Sequence, residues 1–191
     1  MKEIVLASAS PRRAQLLKQV GLQFRVMPSG IEEAFDSNLM PEQVVENLAC
    51  KKAMDVADKL HDSALVIGAD TIVVKGSILG KPENKTEACK MLKILSGQWH
   101  EVITGIAVVD SLSSKSVKSF EKTRVKFKTL TDDIIEAYIR TGEPMDKAGA
   151  YGIQGIGAVL VERIEGCYFN VVGLPLAKLS EILKSFGVKI L

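Results

Sequence analysis

The sequence predicts a mixed α/β (α+β) fold, an elongated mixed β-sheet flanked by helices, and three observations carry that prediction. Helical and strand patterns alternate along the chain, but irregularly and with hairpins mixed in, which favours a mixed sheet over a doubly wound one. The run ALVIGADTIVV at residues 64–74 is apolar almost throughout and rich in β-branched residues, as expected of a central strand buried on both faces. Of the 191 residues, 47% are hydrophobic, enough for a substantial core in one domain, elongated or bilobed around a central cleft.

The elements follow in order. EIVLA (3–7) reads as a short buried strand. SPRRAQLLKQVG (10–21) reads as a helix, with Ser10 as N-cap, Pro11 as first helical residue and Gly21 as the stop. LQFRVMP (22–28) alternates as a second strand, and SGIEEAFDSNLM (29–40) is a polar, acidic loop. PEQVVENLACKKAMDVADKL (41–60) is a long helix, again opened by a proline. After the central strand, KGSILGKP (75–82) reads as a hairpin turn and exit loop, and KTEACKMLKILSG (85–97) as a helix ending on Gly97. HEVITGIAVVD (100–110) and KSVKSFEKTRVKFKTL (115–130) are two long strands joined by a Ser-rich turn. TDDIIEAYIRTG (131–142) is a helix with an acidic first turn, and EPMDKAGAYGIQG (143–155) is a loop. GAVLVERIEG (157–166) reads as a strand and LPLAKLSEILKSFG (174–187) as the closing helix. No repeat, linker or low-complexity tail interrupts residues 1–191, which read as a single domain.

Composition excludes several classes. A formal net charge of +2 gives no bulk electrostatic case for nucleic acid or membrane binding. Cys50, Cys89 and Cys167 form no CxxC pair and no His/Cys cluster, so they read as reduced, buried thiols of a cytoplasmic protein. The apolar run after Met1 is too short for a signal peptide, and no stretch approaches the roughly 20 apolar residues of a membrane span. There is no GxxxxGK[ST], no GxGxxG after a strand and no HExxH. His61 and His100 are placed for no obvious triad and read as surface or structural residues.

The chemistry begins at LASASPRR (6–13). With Ser10 as cap, Arg12 and Arg13 fall in the first helical turn, where the macrodipole disfavours each cation by a few tenths to about 1 kcal/mol. A solvated basic surface would tolerate this. However, Arg13, Leu16, Leu17 and Val20 follow i, i+3, i+4, i+7 spacing, which puts Arg13 at the head of the inward stripe. An anion at the helix start reconciles the two. Free backbone N–H groups, the Ser8 and Ser10 hydroxyls and two guanidinium forks would converge on it, and phosphate is the natural candidate.

Asp70 lies inside the most apolar run of the chain, and the apolar pattern resumes with Ile72, Val73 and Val74. A carboxylate held there calls for a cation or a metal partner. On the long helix, the i+4 row Val44, Leu48, Lys52, Val56, Leu60 is interrupted by one lysine. Lys52 either snorkels to the surface or reaches a polar site against the sheet. The loop acids Glu32, Glu33 and Asp36 are ordinarily solvated, but near a phosphate cluster they can hold Mg²⁺. Lys81 and Lys147 sit in short glycine-bearing loops that let backbone approach a ligand, and the Gln154 amide can read a base edge.

LASASPRR, GADT, GKP, GEPMDKAGAYGIQG and NVVGLPL, in this order over essentially the whole chain, resemble the motifs of the Maf family of nucleotide pyrophosphatases. The resemblance implies an inosine-triphosphatase-like fold. It also implies hydrolysis of nucleoside triphosphates to the monophosphate and pyrophosphate with a divalent cation (Mg²⁺, Mn²⁺ or Co²⁺), a house-cleaning activity. By the same resemblance Asp70 is the catalytic base, with Glu33 rather than Glu32 as the loop carboxylate; a metal held by Asp70 and Glu33 is the expected mechanistic complement. Ser8, Arg13, Lys52 and Lys81 are among the phosphate and active-site groups, and Ser10 is expected to join them from its place at the helix start. Members with Arg, Thr and Gln at the positions of Arg12, Thr71 and Gln154 prefer dTTP and UTP, whereas a 7-methyl-GTP branch carries tryptophan at the Arg12 position. This chain therefore resembles the dTTP/UTP branch. The family is also linked by name to septum formation, and its members are often homodimers. The expected partner is the nucleotide alone, with no membrane and no stable nucleic-acid complex. The rival reading is a non-enzymatic nucleic-acid-binding or division-regulating protein, using the SPRR turn and the strand KTRVKFK to contact phosphates.

Overall fold

A β-branched run needs neighbours on both sides, and β3 (Ala64–Lys75) has them: it continues without a break through Asp70, as its apolar pattern predicts. The computed structural model describes residues 2–32, 34 and 38–191, so the expectations placed on Glu33 and Asp36 lie outside the described residues. Among the described residues, the strands pair in the order β2-β1-β3-β5-β6-β7, with β4 (Ser77–Leu79) added to β3. β1 (Glu3–Leu6) runs parallel to both β2 (Arg25–Val26) and β3, in register Leu6 to Ile67. β4 returns antiparallel on β3, and β7 (Val161–Glu165) is antiparallel to β6 (Ser116–Phe127). The sheet is thus mixed, as predicted. β3, β6 and β5 (Trp99–Asp110) each contribute residues to two compact units, the first Met1–Asp70, Thr104–Glu121 and Gly173–Leu191, the second Thr71–Ile103 and Lys122–Val172.

In the first unit, α2 (Pro41–Ala57) lies on the sheet with no side chains between them at two points. A Cβ on Gly68 of β3 would fall 2.1 Å from the Ala49 carbonyl oxygen, and one on Gly105 of β5 2.2 Å from the Val45 carbonyl oxygen. The small residues Ala49 and Ala53 complete the contact, and the core around them is built from Val5, Ala7, Val56, Val66 and Ala107. α1 (Pro11–Gln19) buries Leu16 and Leu17, the inward stripe read from its spacing. α6 (Leu176–Ser185) closes the unit, burying Leu176, Leu179, Ile182 and Leu183.

In the second unit, α3 (Lys85–Leu95) is capped by the Asn84 side chain, which accepts from the Glu87 N–H at 3.0 Å. α4 (Asp132–Arg140) is capped in the same way by Thr131. Their apolar faces close over a core that includes Leu92, Phe127, Ile135 and Tyr151. His100, Phe127 and Tyr151 meet edge to face, with centroids 4.7 to 5.4 Å apart, and His100 Nε2 shares a 2.8 Å hydrogen bond with the Tyr151 hydroxyl. The Arg124 guanidinium stacks on Trp99 at 4.6 Å.

Several elements differ from expectation. The predicted strand at 157–166 begins only at Val161, because Ile156–Leu160 forms a 3₁₀ turn whose first two N–H groups are taken by a carboxylate of Glu143. The second strand shortens to Arg25–Val26. A helix that the sequence reading lacks, α5 (Tyr168–Val172), is too short to carry a periodicity signal. The three cysteines are free thiols, as expected, but half-buried rather than buried. His61 is on the surface, while His100 is a core residue.

Candidate active site

Strand alternation puts Gly68 and Asp70 on one face of β3, two residues apart. Because Gly68 has no side chain, α2 comes close enough for Lys52 to reach the carboxylate, with Nζ 2.6 Å from Asp70 Oδ1. Both side chains are almost fully enclosed, at 9% and 10% exposure. A lysine in an apolar helix row and an aspartate in an apolar strand are each costly alone; here each is the partner of the other. Of the two alternatives for Lys52, the structure selects the polar site against the sheet.

The helix start is organised in the same unit. Ser10 occupies the N-cap position of α1 in extended conformation, yet its hydroxyl makes no capping bond. Instead the Ser10 backbone N–H donates to Ser8 Oγ at 3.2 Å, and Ser8 is buried. Arg13 donates from Nε to the Gly173 carbonyl at 2.8 Å and from Nη1 to Ser8 Oγ at 3.0 Å. The first turn contains no acid, so Arg12, Arg13 and the N-terminal N–H groups of α1 present positive charge together. Asp55, on α2, ties the start of the acidic loop. It accepts from Ser29 Oγ at 2.7 Å and the Gly30 N–H at 3.0 Å, and pairs with Lys59 at 2.7 Å. The Lys59 ammonium first, then these hydrogen bonds, hold its carboxyl down at about 2. Glu32, just beyond, is exposed.

The remaining expected residues belong to the second unit. Thr71 follows Asp70 on β3 and is half-buried. Lys81 is exposed after β4, and Gln154 is exposed on the turn before Ile156–Leu160. Lys147 is tied into its own loop, donating to the Glu143 carbonyl and to Asp146 Oδ1, both at 2.6 Å. Three cations of the basic strand KTRVKFK have partners within the protein. Lys122 pairs with Glu101 at 3.3 Å, Arg124 with Glu165 at 3.1 Å, and Lys126 donates to the Gly97 carbonyl at 2.6 Å.

Sequence reasoning missed Glu143, which binds two backbone N–H groups beside Gln154. An acid flanked by Gly142 and Pro144 in a loop carries no periodic signal that would set it apart from a solvated one.

The fold defines the class as mixed α/β, and it is similar to that of a HAM1 protein from Coxiella burnetii (TM-score 0.54, 17% identity, covering 97% of this chain and 100% of that one). More particularly, the chain belongs to the Maf family, since the family described as Maf-like protein matches residues 3–186. Among its relatives, the dTTP/UTP pyrophosphatase of Acetivibrio thermocellus is 59% identical, covering 100% of this chain and 98% of the relative. The dTTP/UTP pyrophosphatase of Pelotomaculum thermopropionicum is 55% identical over 100% of both chains.

Proposed function

We propose that this chain is a nucleoside triphosphate pyrophosphatase that hydrolyses dTTP and UTP to the monophosphate and pyrophosphate, clearing nucleotides from the pool. The observation that carries this reading at the level of residues is the enclosed Lys52–Asp70 pair, at 2.6 Å, in the same unit as the arginine-bearing start of α1. It joins the full-length identity to relatives that bear the dTTP/UTP pyrophosphatase name.

Hydrolysis forms one bond from water oxygen to the α-phosphorus and breaks the bond from that phosphorus to the oxygen bridging to the β-phosphate. Asp70 takes the proton of the attacking water. Lys52 engages Oδ1 and so fixes the carboxylate, leaving water activation to Oδ2. The pyrophosphate leaves with the bridging oxygen. Arg13, held by Ser8 and Gly173, gives the phosphate chain a guanidinium already oriented by protein contacts. Ser10 and the N–H groups of α1 add hydrogen-bond donors at the same end. The phosphate role of Lys81 and the base-reading roles of Arg12, Thr71 and Gln154 are carried by the family pattern.

A divalent cation fits this donor set. Asp70 supplies one carboxylate, to which Glu33 adds a second by the family pattern. Carboxylate oxygens suit a hard cation that completes its shell with substrate phosphates and water. When bound, it would supply charge neutralisation along the phosphate chain.

The test is pyrophosphate release from dTTP and UTP with Mg²⁺, Mn²⁺ or Co²⁺, before and after chelation. Metal-dependent turnover is expected in the wild type. Asp70→Asn should still bind dTTP but lose turnover by about 10²-fold or more. A variant with near-normal kcat would remove Asp70 from the mechanism.

A further inference from the structure

Glu143 is the first residue of a 3₁₀ turn (Glu143–Asp146), yet its side chain is not solvated like an ordinary loop acid. Oε2 accepts from the Ile156 N–H at 2.8 Å and Oε1 from the Gly157 N–H at 2.9 Å. Oε1 also accepts from the Tyr138 hydroxyl at 2.8 Å, whose oxygen in turn accepts from the Gly152 N–H at 3.1 Å. Three backbone N–H groups of the segment 152–157 therefore end on one carboxylate–phenol pair. Burial works against the Glu143 charge, but the hydrogen bonds from Gly157, Ile156 and Tyr138 outweigh it and hold the carboxyl below its ordinary range.

The glycines of the segment fit this cradle. A Cβ on Gly155 would lie 2.3 Å from Glu143 Oε2, and one on Gly157 2.5 Å from the Tyr138 hydroxyl oxygen. The residue at the crest of this clamped turn is Gln154, with its side chain exposed. Gly152 and Gly157 are buried, so their N–H groups depend on this carboxylate–phenol pair rather than on water, and the turn between them is held from beneath. What the carboxylate adds is a fixed backbone under one amide side chain.

We propose that Glu143, seconded by Tyr138, is a positioning residue for base selection: it clamps the 152–157 turn so that the Gln154 amide is presented in one place. The inference rests on the reading of Gln154 as a base-reading group. Thymine and cytosine are similar in size but opposite at position 4, where one carries an acceptor oxygen and the other a donor amine. An amide held in place separates them, whereas one on a slack turn adapts to either.

The experiment measures kcat and KM for dTTP and dCTP, with thermal melting, for Glu143→Gln, Tyr138→Phe, Gln154→Ala and the Glu143→Gln/Gln154→Ala double variant. Glu143→Gln keeps the shape but turns one acceptor into a donor facing an N–H. It should lower the dTTP/dCTP ratio of kcat/KM by about tenfold, mainly through KM for dTTP. Tyr138→Phe should lower it in the same direction by less, and serves if Glu143→Gln does not fold. In the Gln154→Ala background, Glu143→Gln should change the ratio no further. If Gln154→Ala leaves the ratio unchanged, the reading of Gln154 itself fails. If Gln154→Ala collapses the ratio while Glu143→Gln and Tyr138→Phe leave it intact, or reduce activity on both nucleotides equally, only the positioning role is overturned.

Discussion

The decisive residue is a lysine that breaks a rule. Lys52 stands where the periodicity of α2 calls for an apolar side chain, and it ends 2.6 Å from a carboxylate that breaks the same rule in β3. Two local violations that cancel mark a functional site better than either does alone. The sequence displayed both violations but not their pairing, because the contact depends on how closely a helix lies on a strand. Lys52→Gln should destabilise the fold by about 3–5 kcal/mol, since it leaves the enclosed Asp70 without its partner. Urea denaturation measures this, and a loss below about 1 kcal/mol would mean that water already solvates the pair. Arg13 was legible from its helical spacing, although its anchors were not: Gly173 lies 160 residues away. Glu143 stayed hidden for the same reason, since its bonds to residues 156 and 157 exist only once the loop has closed on itself.

At the scale of elements, helices α1, α2, α3, α4 and α6 lie where caps, prolines and apolar spacing place them. The errors fall where backbone donors are satisfied by side chains instead of a ladder. Residues 156–160 have the apolar, β-branched look of a strand, but a carboxylate captures their first two N–H groups and bends them into a 3₁₀ turn. The contact of α2 with β3 is the element-scale cause of the site, and Gly68 is its hinge point. Gly68→Ala would drive a methyl into the Ala49 carbonyl region, where 2.1 Å is available. The helix must then lift, costing about 1–3 kcal/mol or more and drawing Lys52 away from Asp70. Both melting temperature and kcat should fall. Gly80→Ala, where an added Cβ meets nothing within 4 Å, should stay within about 0.5 kcal/mol of wild type. Equal behaviour of the two variants would contradict the close packing.

For the whole molecule, the mixed sheet flanked by helices was legible because hydrophobic pattern decides it, while the boundaries of the two units were not, since the strands β3, β5 and β6 serve both without a break in composition. Stability against pH is a property of the whole chain to which one core residue makes a signed contribution. Burial, then the nearby Lys75 charge, pushes His100 down to about 4 from an ordinary 6.5. The unfolded chain therefore binds a proton between those two values that the folded chain refuses. The stability that His100 contributes is complete above pH 6.5 and is lost progressively as pH falls towards 4, a change on the order of 2–3 kcal/mol. His100→Gln should flatten the denaturation free energy across that window, and an unchanged slope would place the acid sensitivity elsewhere. The stack of Arg124 on Trp99 has a practical consequence. The chain contains one tryptophan, and it lies in the second unit, so intrinsic fluorescence reports on that unit alone. The amide signal of circular dichroism reports on both. Superimposing the two optical transitions along a urea gradient would reveal whether the units melt together or in succession.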